Sequence, residues 1–113
     1  MSSAADPAQA AARLAAAVAA IPYGQVRSYA EVAALAGLPG RARQVARVLA
    51  SRSGLPWHRV LRADGRIAFA PGSAQAAEQV QRLRAEGIEV VDGRVGAAWR
   101  PGRKLDVLLW GQD

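Results

Sequence analysis

A chain of 113 residues, 51% of them hydrophobic, has the size and composition of one compact domain spanning 1–113, although much of the apolar content is alanine, which buries little area per residue. The absence of cysteine excludes disulfides, thiolate nucleophiles and thiolate metal sites, and a lone histidine leaves no donor set for a transition metal, so neither metal nor cofactor is expected. No signal-like start and no run of about 18 apolar residues is present, so no membrane partner is expected and the expected location is cytoplasmic.

Asp6 and Pro7 form a helix start, an oxygen cap followed by a residue whose fixed torsion suits the first turn, and Leu14, Val18 and Ile21 then recur at helical spacing. Pro22-Tyr23-Gly24 ends that helix. A short extended piece, Gln25 to Arg27, leads into Ser28-Tyr29-Ala30-Glu31, a capping box that predicts a second helix from Tyr29 to Ala36 with Val32 and Leu35 inward and Gly37 as its left-handed stop. After the turn Leu38-Pro39-Gly40, a third helix is predicted over Arg41 to Ser51 with Val45, Val48 and Leu49 apolar. Two short helices joined by such a turn read as a helix-turn-helix.

Beyond Ser53-Gly54 the chain turns extended. Trp57 to Leu61, a turn at Ala63-Asp64-Gly65, and Arg66 to Phe69 predict a small hairpin; Pro71-Gly72-Ser73 ends it, and a helix follows from Ala76 to Glu86 with Val80 and Leu83 inward. The tail from Ile88 carries short apolar runs around Val90, Val95, Trp99 and Val107 to Trp110.

The net charge of +6 is concentrated: between Arg27 and Arg66 lie eight arginines against two acids, Glu31 and Asp64, whereas basic and acidic residues balance elsewhere. Phosphates reward such clustering through counterion release, so nucleic acid is one expected partner; the alternative is a solvated basic face. The outer side of the third helix mixes Ala42 and Ala46 with Arg43 and Arg47. Small residues let a backbone approach DNA and arginines reach phosphates or bases.

The run IPYGQVRSYAEVAALAGLPGRARQVARVLA followed by PWHRVLRADGRI resembles the DNA-binding domain of the O6-alkylguanine-DNA alkyltransferases, in which a helix-turn-helix precedes a PCHRV active-site strand. With tryptophan in the cysteine's place, the likeness is closer to the alkyltransferase-like proteins, which carry PWHRV. It runs from about Ile21 to Glu89. The resemblance implies a mainly α single domain with a small β-hairpin and a helix-turn-helix, winged-helix-like, as in the alkyltransferase C-terminal domain.

It also implies roles. Tyr29 matches the tyrosine that favours rotation of a nucleotide out of the duplex, and Arg43 the arginine that enters the vacated stack; the second helix of the motif lies in the minor groove, beside which Ala42 and Ala46 fit. Arg47 and Arg52 are candidate phosphate contacts. Around the lesion pocket stand Trp57 as floor, His58 and Glu86 as the pair that in relatives activates the cysteine, and Arg59 and Val60 on the strand. Arg66 is the nearest basic residue to a position that some relatives fill with arginine and this chain with Ala70. The connection Ser51-Arg52-Ser53-Gly54 is shorter than in true alkyltransferases and lacks their hinge asparagine.

The function so implied is that of a monomeric, non-enzymatic sensor with no catalytic residue. It would bind double-stranded DNA containing O6-alkylguanine, flip the base against Trp57, and mark it for nucleotide excision repair proteins. A sequence-specific regulator of undamaged DNA is the alternative, and turnover by a water activated between His58 and Glu86 a third reading, disfavoured because water displaces an alkyl carbon poorly.

Overall fold

The structure, a computed structural model, describes residues 6–96; the apolar runs at Trp99 and Val107–Trp110 lie outside them. Helix α1, Pro7–Ala19, begins where Asp6 accepts the Gln9 N–H at 3.0 Å, and it buries Ala10, Leu14, Ala15 and Val18 at helical intervals. Helix α2, Tyr29–Leu35, is opened by a complete capping box. The Ser28 hydroxyl accepts the Glu31 N–H at 3.1 Å, and the Glu31 carboxylate accepts the Ser28 N–H at 2.6 Å. Gly37, at φ 79°, closes α2, with its own N–H on Ala34 and that of Leu38 on Ala33.

Helix α3, Ala42–Ser51, completes the helix-turn-helix, and α1, α2 and α3 enclose a core of Leu14, Val18, Ile21, Val32, Val45, Val48 and Val60. Leu35, expected inward, is 65% exposed. The buried arc of α2 centres between Val32, Ala33 and Ala36, so at 3.6 residues per turn Leu35 falls about 110° from its middle.

The extended region departs from expectation in one informative way. Trp57–Arg59 is a single turn of 3₁₀ helix, and only β2, Val60–Leu61, is a strand. Its partner is not the following segment but β1, Arg27–Ser28, paired in parallel with Arg27 opposite Val60 and Ser28 opposite Leu61. The turn at Ala63-Asp64-Gly65 exists, closed by Arg62 N–H on Arg66 O at 3.0 Å, but Arg66 then bridges to Arg94. A turn signal is local, whereas the competing parallel pairing joins residues far apart in the chain.

The hairpin is instead β3, Val90–Val91, with β4, Arg94–Val95. Asp92 at φ 51° and Gly93 at φ 72° supply the left-handed pair that a two-residue connection needs. Helix α4, Ala74–Ala85, starts earlier than its periodicity predicts because the Ser73 hydroxyl caps it by accepting the Ala76 N–H at 3.1 Å. Val26, Leu61, Ile67, Leu83, Ile88, Val90 and Val95 form a second apolar cluster. Successive residues of a strand point to opposite sides, so β2 ties the two clusters together, Val60 belonging to the helical one and Leu61 to the other.

Candidate nucleic-acid interface

The segment after Pro56 is held from behind by a polar stripe on and just beyond α4. Glu86, at the helix end, is its hub. One carboxylate oxygen lies 2.7 Å from His58 Nε2 and 2.8 Å from Arg59 Nη2, and the other accepts the Gly24 N–H at 2.8 Å. Burial alone would raise this carboxyl, but the donors from Arg59, His58 and Gly24 outweigh it and hold the group down at about 2. Arg59 also donates to Ile21 O at 2.8 Å and lies over the Tyr23 ring, 5.8 Å from its centre.

Gln79, fully buried on α4, donates to both His58 O (3.1 Å) and Val60 O (3.0 Å). Sequence reading passed over Gln79. Its signal was available as a polar residue at an inward position, between Ala76 and Leu83. His58, only 7% exposed, keeps its Nδ1 without a partner among the described residues. Val60 is likewise buried, its N–H on Trp57 O and its carbonyl accepting from Gln79, so it stiffens the segment.

Trp57 stands half-buried at the front. Phe69 meets it edge-on with ring centres 5.7 Å apart, His58 does so at 6.2 Å, and the Arg82 guanidinium carbon lies 5.5 Å from the indole centre. Phe69 also lines a groove shared with Arg62, Arg66, Ile67, Val80 and Arg84, of which Trp57 is not a wall. Arg66 belongs to that groove and pairs with Asp64 at 3.4 Å.

The helix-turn-helix face is built as the sequence suggests. Tyr29 opens α2 half-buried; burial raises its phenol, an effect that the charge of Arg62 partly offsets. Arg43, Ala46 and Arg47 of α3 are exposed, Ala42 is half-buried, and Arg52 is exposed at the helix end. The charge cluster is thinner than the sequence implies. Arg59 is spent on Glu86, Arg27 donates to Val26 O and Gln25, and Arg66 pairs with Asp64, leaving Arg41, Arg43, Arg47, Arg52 and Arg62 exposed without a carboxylate partner among the ion pairs of the described residues. An arginine beside a buried carboxylate gains more from that pair than from solvent.

Residues 9–88 match the family described as 6-O-methylguanine DNA methyltransferase, DNA binding domain. The chain belongs to this family. Within it the likeness is to alkyltransferase-like members: alkyltransferase-like protein 1 of Schizosaccharomyces pombe is 40% identical over 83 residues, 71% of this chain and 77% of that one. A protein of Vibrio parahaemolyticus named DNA base-flipping protein is also 40% identical, over 72% of this chain and 86% of its own length. Among solved structures, the S. pombe protein in complex with damaged DNA containing O6-carboxymethylguanine superposes with a TM-score of 0.67 at 36% identity, covering 74% of this chain and 81% of that one. The Mycobacterium tuberculosis alkyltransferase in complex with DNA gives 0.58 at 33% identity, over 67% of this chain and 48% of its own.

The alkyltransferase-like chain thus combines the family's DNA-binding fold with a sequence that contains no cysteine, and so no thiol to accept an alkyl group.

Proposed function

We propose that this protein is a non-enzymatic sensor of O6-alkylguanine in duplex DNA. It approaches through the minor groove with α3, turns the damaged nucleotide out past Tyr29, inserts Arg43 into the stack, and holds the base against Trp57 without removing its alkyl group. The observation that carries this reading is the placement of Trp57: a half-buried indole at the front of a segment locked from behind by Glu86 and Gln79, in a chain without a thiol. The complex of the S. pombe relative with damaged DNA, and the name DNA base-flipping protein carried by the V. parahaemolyticus relative, support it.

Turnover by an activated water is disfavoured on chemical grounds: water displaces an alkyl carbon poorly, and the sequence holds no thiol to do so in its place. The lesion, bent and capped by one protein monomer, is then a larger target for nucleotide excision repair than the adduct alone.

Two otherwise identical duplexes, one with O6-methylguanine and one with guanine, titrated at fixed near-physiological salt and followed by mass analysis, test the reading. Tighter lesion binding with both masses unchanged is expected; equal binding would favour a regulator of undamaged sequence. For the handover, deleting the gene is expected to alter alkylation tolerance only where excision repair is intact.

A further inference from the structure

Gln79 and Glu86 hold the backbone and the histidine of the Trp57 segment. Arg82, on the same stripe of α4 between them, holds neither. Its guanidinium carbon sits 5.5 Å from the centre of the Trp57 indole, while its Nη2 and Nε both contact one oxygen of Glu78, at 2.6 and 2.9 Å. The Arg82 and Glu78 side chains are 50% and 49% exposed. An exposed pair one helical turn apart contributes less than about 1 kcal/mol, so Glu78 is a partner that another anion can displace. The ring beneath fixes where the guanidinium sits, which lowers the entropy lost when it takes up a new partner.

We propose that Arg82 is a specificity-determining residue of the Trp57 site: it reads the charge at the outer end of the O6 substituent and favours one ending in an anion over a neutral one. This rests on the reading of Trp57 as the surface against which the lesion is held. A substituent lying along the indole ends within reach of the cation stacked over it, and a carboxylate there receives the forked N–H donors now given to Glu78. A neutral alkyl group meets only ring surface and leaves the Glu78 pair intact. Neither neighbouring arginine can take this part. Arg84 donates to Val90 O at 2.7 Å, and Arg66 pairs with Asp64 on the groove beyond Phe69.

Three duplexes identical except for one central base, guanine, O6-methylguanine or O6-carboxymethylguanine, are titrated at one salt concentration with the unaltered protein, Arg82→Gln, Glu78→Gln and, as a control, Arg47→Gln. The unaltered protein is expected to prefer the carboxymethyl lesion to the methyl one. Arg82→Gln lowers that preference by about fivefold, the size of one solvent-exposed charge contact, and Glu78→Gln raises it. An increase cannot come from misfolding. Arg47→Gln weakens all three duplexes and leaves the preference unchanged. A preference that is the same in the unaltered, Arg82→Gln and Glu78→Gln proteins overturns the assignment while lesion binding survives. Equal affinity of the unaltered protein for all three duplexes removes the sensor reading, and this assignment with it.

Discussion

His58 Nε2 and Arg59 Nη2 converge on a single oxygen of Glu86, at 2.7 and 2.8 Å, so two consecutive residues of the Trp57 segment are clamped by one carboxylate from the end of α4. The clamp is reinforced from Gly24, whose N–H binds the other oxygen at 2.8 Å, so the turn before β1, the Trp57 segment and α4 share one anion. Its chemistry is that of a structural pin.

The pin makes stability sensitive to acid. The Glu86 carboxyl is held at about 2 in the folded chain against an ordinary 4.5, so its contribution is fully present above pH 4.5 and is lost as pH falls through 2. Thermal melts are expected to show a decline in Tm over that window. Glu86→Gln should cost about 3 kcal/mol at pH 7, because His58 and Arg59 lose their shared anion, and should flatten the acid decline. An unchanged acid limb in the variant would assign the decline to other carboxylates.

Gln79→Leu keeps the side-chain volume close but strips donors from two buried carbonyls, His58 O and Val60 O. Each unsatisfied carbonyl costs about 1–3 kcal/mol, so for the two the urea midpoint should fall by an amount equivalent to about 2–6 kcal/mol. A midpoint within error of the parent would show that water replaces the amide.

Arg43 and Arg47 are both exposed on α3, but they are expected to respond differently to alanine. Arg43→Ala should weaken lesion DNA more than plain duplex, since an inserted guanidinium helps only the flipped state. Arg47→Ala should weaken both alike and reduce the slope of log affinity against log salt by about 0.9, one phosphate's share. Equal losses on the two duplexes for Arg43→Ala would make it a phosphate contact as well.

Ser28 sets the helix that begins with Tyr29. Ser28→Ala removes the hydroxyl that takes the Glu31 N–H at 3.1 Å and should cost about 1 kcal/mol in chemical unfolding. Because the first turn of α2 frays with it, lesion affinity should drop at temperatures where the fold stays intact. Unaltered affinity would mean that Tyr29 is held by its packing and not by the cap.

The helices were legible because their determinants are local. Asp6, the Ser28–Glu31 box and Gly37 mark helix ends within one turn of themselves, and Tyr29, Arg43 and Trp57 sit in short motifs read in order. The Leu35 error shows where period alone fails, since a seven-residue helix is too short to average out one misplaced apolar residue.

What only the tertiary structure decided is which partner each polar group takes. Nothing in the spacing says that Arg27 and Val60 lie opposite each other in a parallel pair, or that Arg59 turns inward while Arg43 does not. Nor does it say that Gln79, Arg82 and Glu86 act on three different parts of one segment. A cap or a turn is settled by neighbours along the chain. The direction of a charged or amide side chain is settled by desolvation against whatever partner the fold brings within about 3 Å, and that partner is here a long way off in sequence.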